Sequence, residues 1–459
     1  MLERIGLRFE SWYRQYMPDP FLLALILTLA TFLLAFFLAP ESSFPKLIQQ
    51  WFYGSGKNDG FWGLLTFAMQ MVLIVVTGEA VAASPLIHRA IKALAAAPRT
   101  PASAVAFVSF VSMLMGWLHW GFGLISAALL AREVAAQAKA RGMKIHYPLL
   151  GAAAYTSLLI WHGGLSASAP LLVNTDHHFL YAQIGQVPLQ QTIFTPMNFV
   201  ACALLLFIVP FVLAAMTPLS GQIEISAETL AEMQPIDAPR TETSPAQGEP
   251  RNATISEKIN SSPLVSWLIA ALGIAFLISH FRTKGLELDP DIVNFVFLML
   301  GLLLHRSPVA YMKAVTQSVR GTAGIVLQFP FYAGIMGIMK GSGLGHVIGA
   351  FFVQFASANS LPFFAFLSSV FSKLFVPSGG GEWAVEGPVM LEAAKNLSAS
   401  YGKTIMAVAY GNMVGNMFQP FWALPLLGIM NLRAREIMGY CLVVFCFALP
   451  ILGVVLLVM

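Results

Sequence analysis

Charged side chains are scarce in this sequence: Asp, Glu, Lys and Arg make up 10% of its 459 residues, against 57% apolar residues. Soluble domains carry about a quarter of their residues as charged side chains, so we expect an integral membrane protein. The small formal charge of +4 comes from short basic loops between apolar runs. This distribution is typical of membrane topology, and nucleic acid is excluded as an expected partner.

Cysteine is also rare. Cys202, Cys441 and Cys446 lie in apolar segments without CxxC spacing, so we expect neither a disulfide nor a metal site. The motifs HExxH, GxSxG and GxGD are missing from the sequence. An enzyme embedded in the membrane would need a nucleophile or metal set of that kind, which makes an enzyme the remote alternative.

Apolar runs long enough to cross a bilayer recur along the chain. They predict spans at residues 20–39, 62–81, 147–173, 195–216, 263–281, 291–305, 322–340, 403–427 and 436–458. Two further apolar pairs, at 102–130 and 361–396, are interrupted in the middle by glycine-rich sequence. We expect each pair to form a re-entrant hairpin, because backbone that leaves a helix at membrane depth must be shielded from lipid.

Basic loops give the predicted topology. Those at 82–101, 131–146, 305–320 and 428–436 all belong in the cytoplasm by the positive-inside rule. All four can lie there only if the two hairpins enter the membrane from opposite sides. The prediction is therefore an all-α polytopic protein with about nine transmembrane helices, two opposed hairpins, a cytoplasmic N-terminus and an external C-terminus.

The two halves of the chain resemble each other. Gly121 follows Gln70 by 51 residues, and Gly379 follows Gln328 by the same interval. Counting crossings makes the halves inverted repeats. The predicted first repeat, with an N-terminal lead helix and the first hairpin, covers residues 1–216. A flexible cytoplasmic linker follows at 217–262 and a connecting transmembrane helix at 263–290. The predicted second repeat, with the second hairpin, covers 291–459.

Four glycine-rich interruptions, at 116–123, 161–168, 377–381 and 411–420, would meet in such a repeat. Inverted repeats with broken helices are how many secondary transporters build a site near the middle of the membrane. The interruptions therefore predict one shared cavity. Its expected polar lining comes from His119, Trp120, Gly121, His162, Ser166, Asn412, Asn416 and Gln419.

The interruption at 377–381, which forms the tip of the second hairpin, is the predicted site for an anion. The helix-end N–H groups that follow the glycines at 379, 380 and 381 would carry partial positive charge, and Ser378 would add a hydroxyl. Lys373 and Glu382 would face each other across this tip. They form either a neutralising pair or a site in which Lys373 holds the substrate anion. We expect Glu386, one turn beyond Glu382, on a water-facing arm.

Other polar residues leave two interpretations open. His119 and His162 could relay a proton or only form hydrogen bonds. Gln70 and Gln328 could take part in ion coupling or bond neighbouring helices. Neutral oxygens and amides at the breaks suit a carboxylate substrate or a sodium ion equally well.

Motifs spread along nearly the whole chain carry a family resemblance. They include Met17-Pro-Asp-Pro20, Trp120-Gly-Phe-Gly123, Gln328-Phe-Pro-Phe-Tyr-Ala-Gly334, Val376-Pro-Ser-Gly-Gly-Gly381 and Gln419-Pro-Phe-Trp-Ala-Leu-Pro425. In these segments the sequence resembles the AtoE-type short-chain fatty acid transporters of the ion-transporter superfamily.

The resemblance implies uptake of acetoacetate- or butyrate-like monocarboxylates across the bacterial inner membrane. It further implies a homodimer in the lipid bilayer, an elevator motion, H+ or Na+ as the coupling ion and no other cofactor. A carrier of dicarboxylates or other organic anions within the same superfamily is the alternative.

Overall fold

The computed structural model of the chain describes residues 2–459 except 17, 41, 55, 57–59, 176–177, 179, 234–259, 261, 286–289 and 306. Within these described residues all regular secondary structure is helical, and no strand occurs among them. The predicted all-α fold class is thereby confirmed.

We number the helices in chain order. Those of the first half are α1 (Leu2–Tyr16), α2 (Pro20–Leu38), α3 (Phe44–Tyr53), α4 (Leu65–Ala82), α5 (Pro85–Ala95), α6 (Pro101–Leu118), α7 (Trp120–Ala140), α8 (Tyr147–Tyr155), α9 (Ser168–Val173), α10 (Tyr181–Ile184), α11 (Pro196–Ala215) and α12 (Ala227–Glu232). Those of the second half are α13 (Pro263–Lys284), α14 (Pro290–His305), α15 (Pro308–Ser318), α16 (Ala323–Gly341), α17 (Leu344–Val353), α18 (Leu361–Ser372), α19 (Gly379–Leu397), α20 (Tyr401–Gly415), α21 (Ala423–Met430) and α22 (Ala434–Val458).

Capping residues explain where several of these helices begin. Asp19 precedes Pro20 and accepts a hydrogen bond from the Phe21 amide at 2.9 Å, which starts α2. Thr100 and Ser103 form a reciprocal capping box before α6. A polar cap followed by proline suits a helix start, because the cap satisfies one free N–H and proline needs none.

Seven segments of the described chain are long and apolar enough to cross a membrane: Pro20–Leu38, Pro101–Leu118, Tyr147–Val173, Pro196–Ala215, Pro263–Lys284, Ala323–Gly341 and Ala434–Val458. All but Pro101–Leu118 coincide with predicted spans. That exception is the first arm of the predicted hairpin at 102–130. The other predicted spans correspond to α4, to α14 and to the interrupted pair α20 and α21. The number of crossings and the re-entrant geometry stay predictions.

The two halves share one order of elements. A long helix, a short helix, a helical hairpin, a broken helix and a long helix follow each other as α4, α5, α6–α7, α8–α9 and α11. The same order returns as α16, α17, α18–α19, α20–α21 and α22. The first half has the additional short helix α10 before α11. The repeat and the inversion of one half relative to the other stay predictions.

Glycines let the helices around the breaks approach closely. A Cβ atom on Gly123 would lie 2.5 Å from the Cα atom of Gly116, so the arms of the first hairpin touch through backbone. A Cβ atom on Gly411 would lie 2.5 Å from the Phe366 carbonyl oxygen, which brings α20 against α18. Small residues at such crossings are typical of packed membrane helices.

The predicted linker begins with an ordered segment. The Ile223 amide donates to His146 Nδ1 at 3.1 Å, and Lys139 Nζ donates to the Ile225 carbonyl at 2.9 Å. Ile223 and Ile225, which precede α12, thus contact the end of α7 and the start of α8. Most of the remaining predicted linker, 234–259 and 261, lies outside the described residues.

Candidate functional site

The second hairpin is interrupted at residues 373–378, between α18 and α19. The predicted break at 377–381 was therefore placed too far along the chain, since Gly379, Gly380 and Gly381 form the first turn of α19. Ser378 is the N-cap: its Oγ accepts from the Gly381 amide at 3.2 Å. Its carbonyl accepts from the Glu382 amide at 2.9 Å.

Gly380 is the open position of this turn. It is exposed, and a Cβ atom built on it would meet no atom of the described residues within 4 Å. The first N–H groups of a helix have no partner inside the helix. Because the Ser378 oxygens take those of Gly381 and Glu382, the amides of Gly379 and Gly380 are the ones available to a ligand.

The first hairpin is interrupted at one residue, His119. The predicted break at 116–123 was too long, because Gly116 lies within α6 and Gly121 lies within α7. His119 caps α7 by accepting from the Phe122 amide at its Nδ1 atom, at 3.3 Å. The Trp120 amide donates to Ser166 Oγ at 2.9 Å, which ties this tip to the break between α8 and α9.

The break between α8 and α9 spans residues 156–167 and contains two short 3-10 helices, Thr156–Leu159 and Trp161–Gly163. It starts earlier than the predicted 161–168. The rings of Trp161 and His162 stack with centroids 4.1 Å apart. Trp161 Nε1 donates to the Ser166 carbonyl at 2.7 Å, so the ring is fixed by its own loop.

The break between α20 and α21 spans residues 416–422, whereas residues 411–420 were predicted. Asn412 consequently lies on the last turn of α20. Asn416 Nδ2 donates to the Leu158 carbonyl at 3.3 Å and thereby joins the two broken helices. Gln419 Oε1 accepts from the Phe421 amide at 3.1 Å, a contact local to the loop.

The four breaks meet in one place. The ring centroids of Trp120 and Trp422 lie 5.0 Å apart, which brings the first tip to the break of the second half. Conversely, a Cβ atom on Gly379 would lie 2.5 Å from His162 Cε1, which brings the second tip to the break of the first half. Trp422 Nε1 also donates to the Pro377 carbonyl at 2.8 Å.

Lys373 and Glu382 are both fully buried beside the second tip. Asn412 lies between them, since its Oδ1 accepts from Lys373 Nζ at 2.9 Å and its Nδ2 donates to Glu382 Oε2. Lys373 Nζ also donates to the Pro377 carbonyl. The two charges therefore face each other as predicted, but an amide bridges them.

His162 is held as a neutral ring. Its Nδ1 accepts from the Ser168 amide at 3.2 Å, so the ring proton is on Nε2, which lies 3.0 Å from Asn412 Oδ1. One amide oxygen thus accepts from both His162 and Lys373. This contact gives His162 a hydrogen-bonding role at the second tip, while a proton relay stays a prediction.

Glu386 does not lie on a water-facing arm, because its side chain is fully buried between α18 and α19. Ser368 donates to Glu386 Oε1 at 2.8 Å, and Ser372 donates to the same oxygen. Ser369 contacts Glu382 Oε1 one turn away. These serines were not predicted as site residues, although the i, i+4 spacing of Ser368 and Ser372, like that of Glu382 and Glu386, indicates facing helix surfaces.

The two glutamines have different surroundings. Gln70 Nε2 donates to Asp291 Oδ1 at 2.8 Å at an exposed position, so Gln70 joins α4 to α14. Of the two interpretations, hydrogen bonding between neighbouring helices is the one that describes this contact of Gln70. Gln328 is buried in α16, next to Phe329, whose ring stacks on Phe421 at 4.4 Å. It therefore borders the break at 416–422.

A sequence profile described as "Short chain fatty acid transporter" matches residues 1–459 of the chain. Two curated relatives bear the name "Putative short-chain fatty acid transporter". The one from Escherichia coli (strain K12) is 38% identical over 448 residues, which cover 98% of each chain. The one from Haemophilus influenzae (strain ATCC 51907 / DSM 11121 / KW20 / Rd) is 39% identical over 458 residues, which also cover 98% of each chain.

Two solved structures show remote similarity. The YdaH transporter of Alcanivorax borkumensis is 15% identical with a TM-score of 0.42, covering 96% of this chain and 97% of that one. MtrF of Neisseria gonorrhoeae is 15% identical with a TM-score of 0.35, covering 98% and 97%.

Proposed function

The chain belongs to the short-chain fatty acid transporter family, and we propose that it takes up acetoacetate- or butyrate-like monocarboxylates across the bacterial inner membrane. Transport would be secondary and driven by a gradient of H+ or Na+. The hairpins and broken helices would move together against the remaining helices in an elevator-type cycle, within a homodimer.

The observation that supports this function is the N-terminus of α19. Its open amides at Gly379 and Gly380 lie beside buried Lys373, at the place where all four breaks meet. A helix N-terminus attracts anions through free N–H groups and the helix dipole, and a nearby ammonium adds a full charge. A carboxylate is the ligand that this combination suits.

The count of positive charges favours one carboxylate per substrate. Among described residues, Lys373 and Arg132 are the buried lysine and arginine side chains. Arg132 is engaged elsewhere, because its Nη1 bonds Glu79 Oε1 at 3.0 Å and the Ile429 carbonyl at 2.7 Å. One ammonium and one helix terminus match a monocarboxylate better than a dicarboxylate.

Purified protein in proteoliposomes tests the proposal. We expect saturable uptake of labelled acetoacetate that follows an imposed Na+ or pH gradient, and counterflow that unlabelled butyrate inhibits more strongly than succinate does. Protein-free vesicles give the background, because protonated short acids cross lipid unaided. Absence of carrier-dependent exchange for every short carboxylate tested would contradict the proposal, and preferential inhibition by succinate would favour a dicarboxylate carrier.

A further inference from the structure

Glu386 is a buried carboxyl group that the proposed function does not yet use. Among the described residues its two donors, Ser368 and Ser372, are neutral hydroxyls, and both reach Oε1. Its other oxygen, Oε2, is buried and has no hydrogen-bond partner within that part of the chain. An ionised carboxylate in such surroundings is costly, since burying a charge requires pairing as well as hydrogen bonding.

Charged groups around Glu386 do not supply that pairing. Its own helix carries Glu382 one turn before it, and α18 is followed by Lys373, whose ammonium donates to Asn412 and Pro377. The helices packed against it also carry Lys340 on α16, His346 on α17 and Lys403 on α20, none of which is buried, and Glu392 and Lys395 on α19 itself are exposed. The remaining titratable groups on these helices are the tyrosines Tyr332, Tyr401 and Tyr410, whose phenols carry no positive charge.

The buried cluster of Lys373, Glu382 and Glu386 has fewer positive than negative groups. The cluster holds one ammonium, Lys373, and two carboxyl groups, Glu382 and Glu386, while His162 is neutral. With both carboxylates ionised the cluster carries a net charge of about −1, which would repel an arriving anion. Glu382 has the bridge through Asn412 to Lys373, so Glu386 is the group that neutrality requires to be protonated.

We propose that Glu386 binds the coupling proton and that H+ therefore enters with the substrate anion. This inference rests on the proposed function and selects H+ from its two coupling ions. A proton from the outer solution binds the Glu386 carboxylate, the cluster becomes neutral, and the substrate carboxylate can bind at α19 and Lys373. After reorientation the anion and the proton leave to the cytoplasm, so one H+ accompanies each monocarboxylate and no net charge moves.

The variant Glu386→Gln tests this directly, because glutamine resembles the protonated acid and cannot release a proton. In proteoliposomes we expect it to exchange labelled for unlabelled acetoacetate as the unaltered protein does. Accumulation driven by an acid-outside gradient should fall to the level of protein-free vesicles. Glu392→Gln, an exposed carboxylate on the same helix, is the matched control and should retain both activities.

Each outcome separates the inference from the function on which it rests. Exchange by the unaltered protein without any response to a pH gradient, or accumulation that follows Na+ alone, would overturn proton coupling and leave the carrier function standing. Undiminished pH-driven accumulation by Glu386→Gln would overturn the role of Glu386. Failure of the unaltered protein to exchange any short carboxylate would instead contradict the proposed function.

A second variant covers the case in which Glu386→Gln does not fold. Ser368→Ala combined with Ser372→Ala removes both hydroxyl donors and keeps the carboxyl group. Because those donors stabilise the ionised form, the pH of half-maximal driven uptake should rise in the double variant. An unchanged pH profile would contradict the proposal.

Discussion

At the first hairpin tip only His119 separates α6 from α7, whereas residues 373–378 separate α18 from α19 at the second. Polar atoms at the first tip bond to the tip itself or to the neighbouring break between α8 and α9. His119 caps a helix, and the Trp120 amide bonds Ser166. Trp117 Nε1 likewise donates to the Gly163 carbonyl at 3.1 Å.

The second tip differs in its charged groups and in its helix start. It has an open helix start at Gly380, a buried ammonium at Lys373 and two buried carboxyl groups behind them. Similar elements in the two halves have thus taken different roles. We interpret the first tip as an aromatic wall and the second as the place where charge is bound.

Loss of the ammonium should have the largest effect on this contrast. In Lys373→Gln the side chain can still bond Asn412, but no positive charge remains for the substrate. A hydrogen bond to a charged group contributes about 1.5–3 kcal/mol, which corresponds to a KM for uptake raised about 10- to 100-fold. Initial rates of acetoacetate uptake over a range of concentrations measure it.

The matched control is Lys395→Gln, which removes an exposed lysine from the last turn of α19. Its KM should equal that of the unaltered protein. An unchanged KM in Lys373→Gln, with normal membrane insertion, would show that Lys373 only neutralises Glu382 and would remove the electrostatic difference between the tips.

A single added methyl group should distinguish the surroundings of the two tips by packing. Gly164 lies in the break between α8 and α9 that packs against the first tip, and a Cβ atom on it would lie 2.1 Å from the Trp117 carbonyl oxygen, which is backbone and cannot move aside cheaply. A Cβ atom on Gly380, at the second tip, would meet no described atom within 4 Å. We expect Gly164→Ala to lower the free energy of unfolding by about 1–3 kcal/mol. Gly380→Ala should unfold like the unaltered protein in thermal scans in detergent, and equal losses in both variants would contradict the contrast.

Glycine explains why the sequence located the breaks but not their ends. Gly116, Gly123 and Gly411 were predicted to lie in unwound backbone. All three lie inside helices, where they allow a neighbouring chain to approach. Glycine suits both situations, because the missing Cβ atom permits unusual dihedral angles and close contact alike. Only the position of the neighbouring helix decides between them.

The individual polar residues of the candidate site were easier to predict from the sequence than the hydrogen bonds between them. The facing of Lys373 and Glu382 follows from their similar distance from the tip along the chain. The insertion of Asn412 between them depends on how α20 crosses the hairpin, which no local pattern records. Burial of Glu386 was missed for a different reason: its serine partners look unremarkable in an apolar helix, where serine often bonds its own backbone.

The smallest expected effect concerns the cap at the first tip. His119→Ala removes the acceptor for the Phe122 amide and should lower the free energy of unfolding by about 1 kcal/mol, whereas His119→Asn should restore most of it, because asparagine is a good N-cap. Neither variant should change the KM for acetoacetate if this tip is a wall. A raised KM in both variants without lost stability would instead place His119 in the path of the substrate or proton.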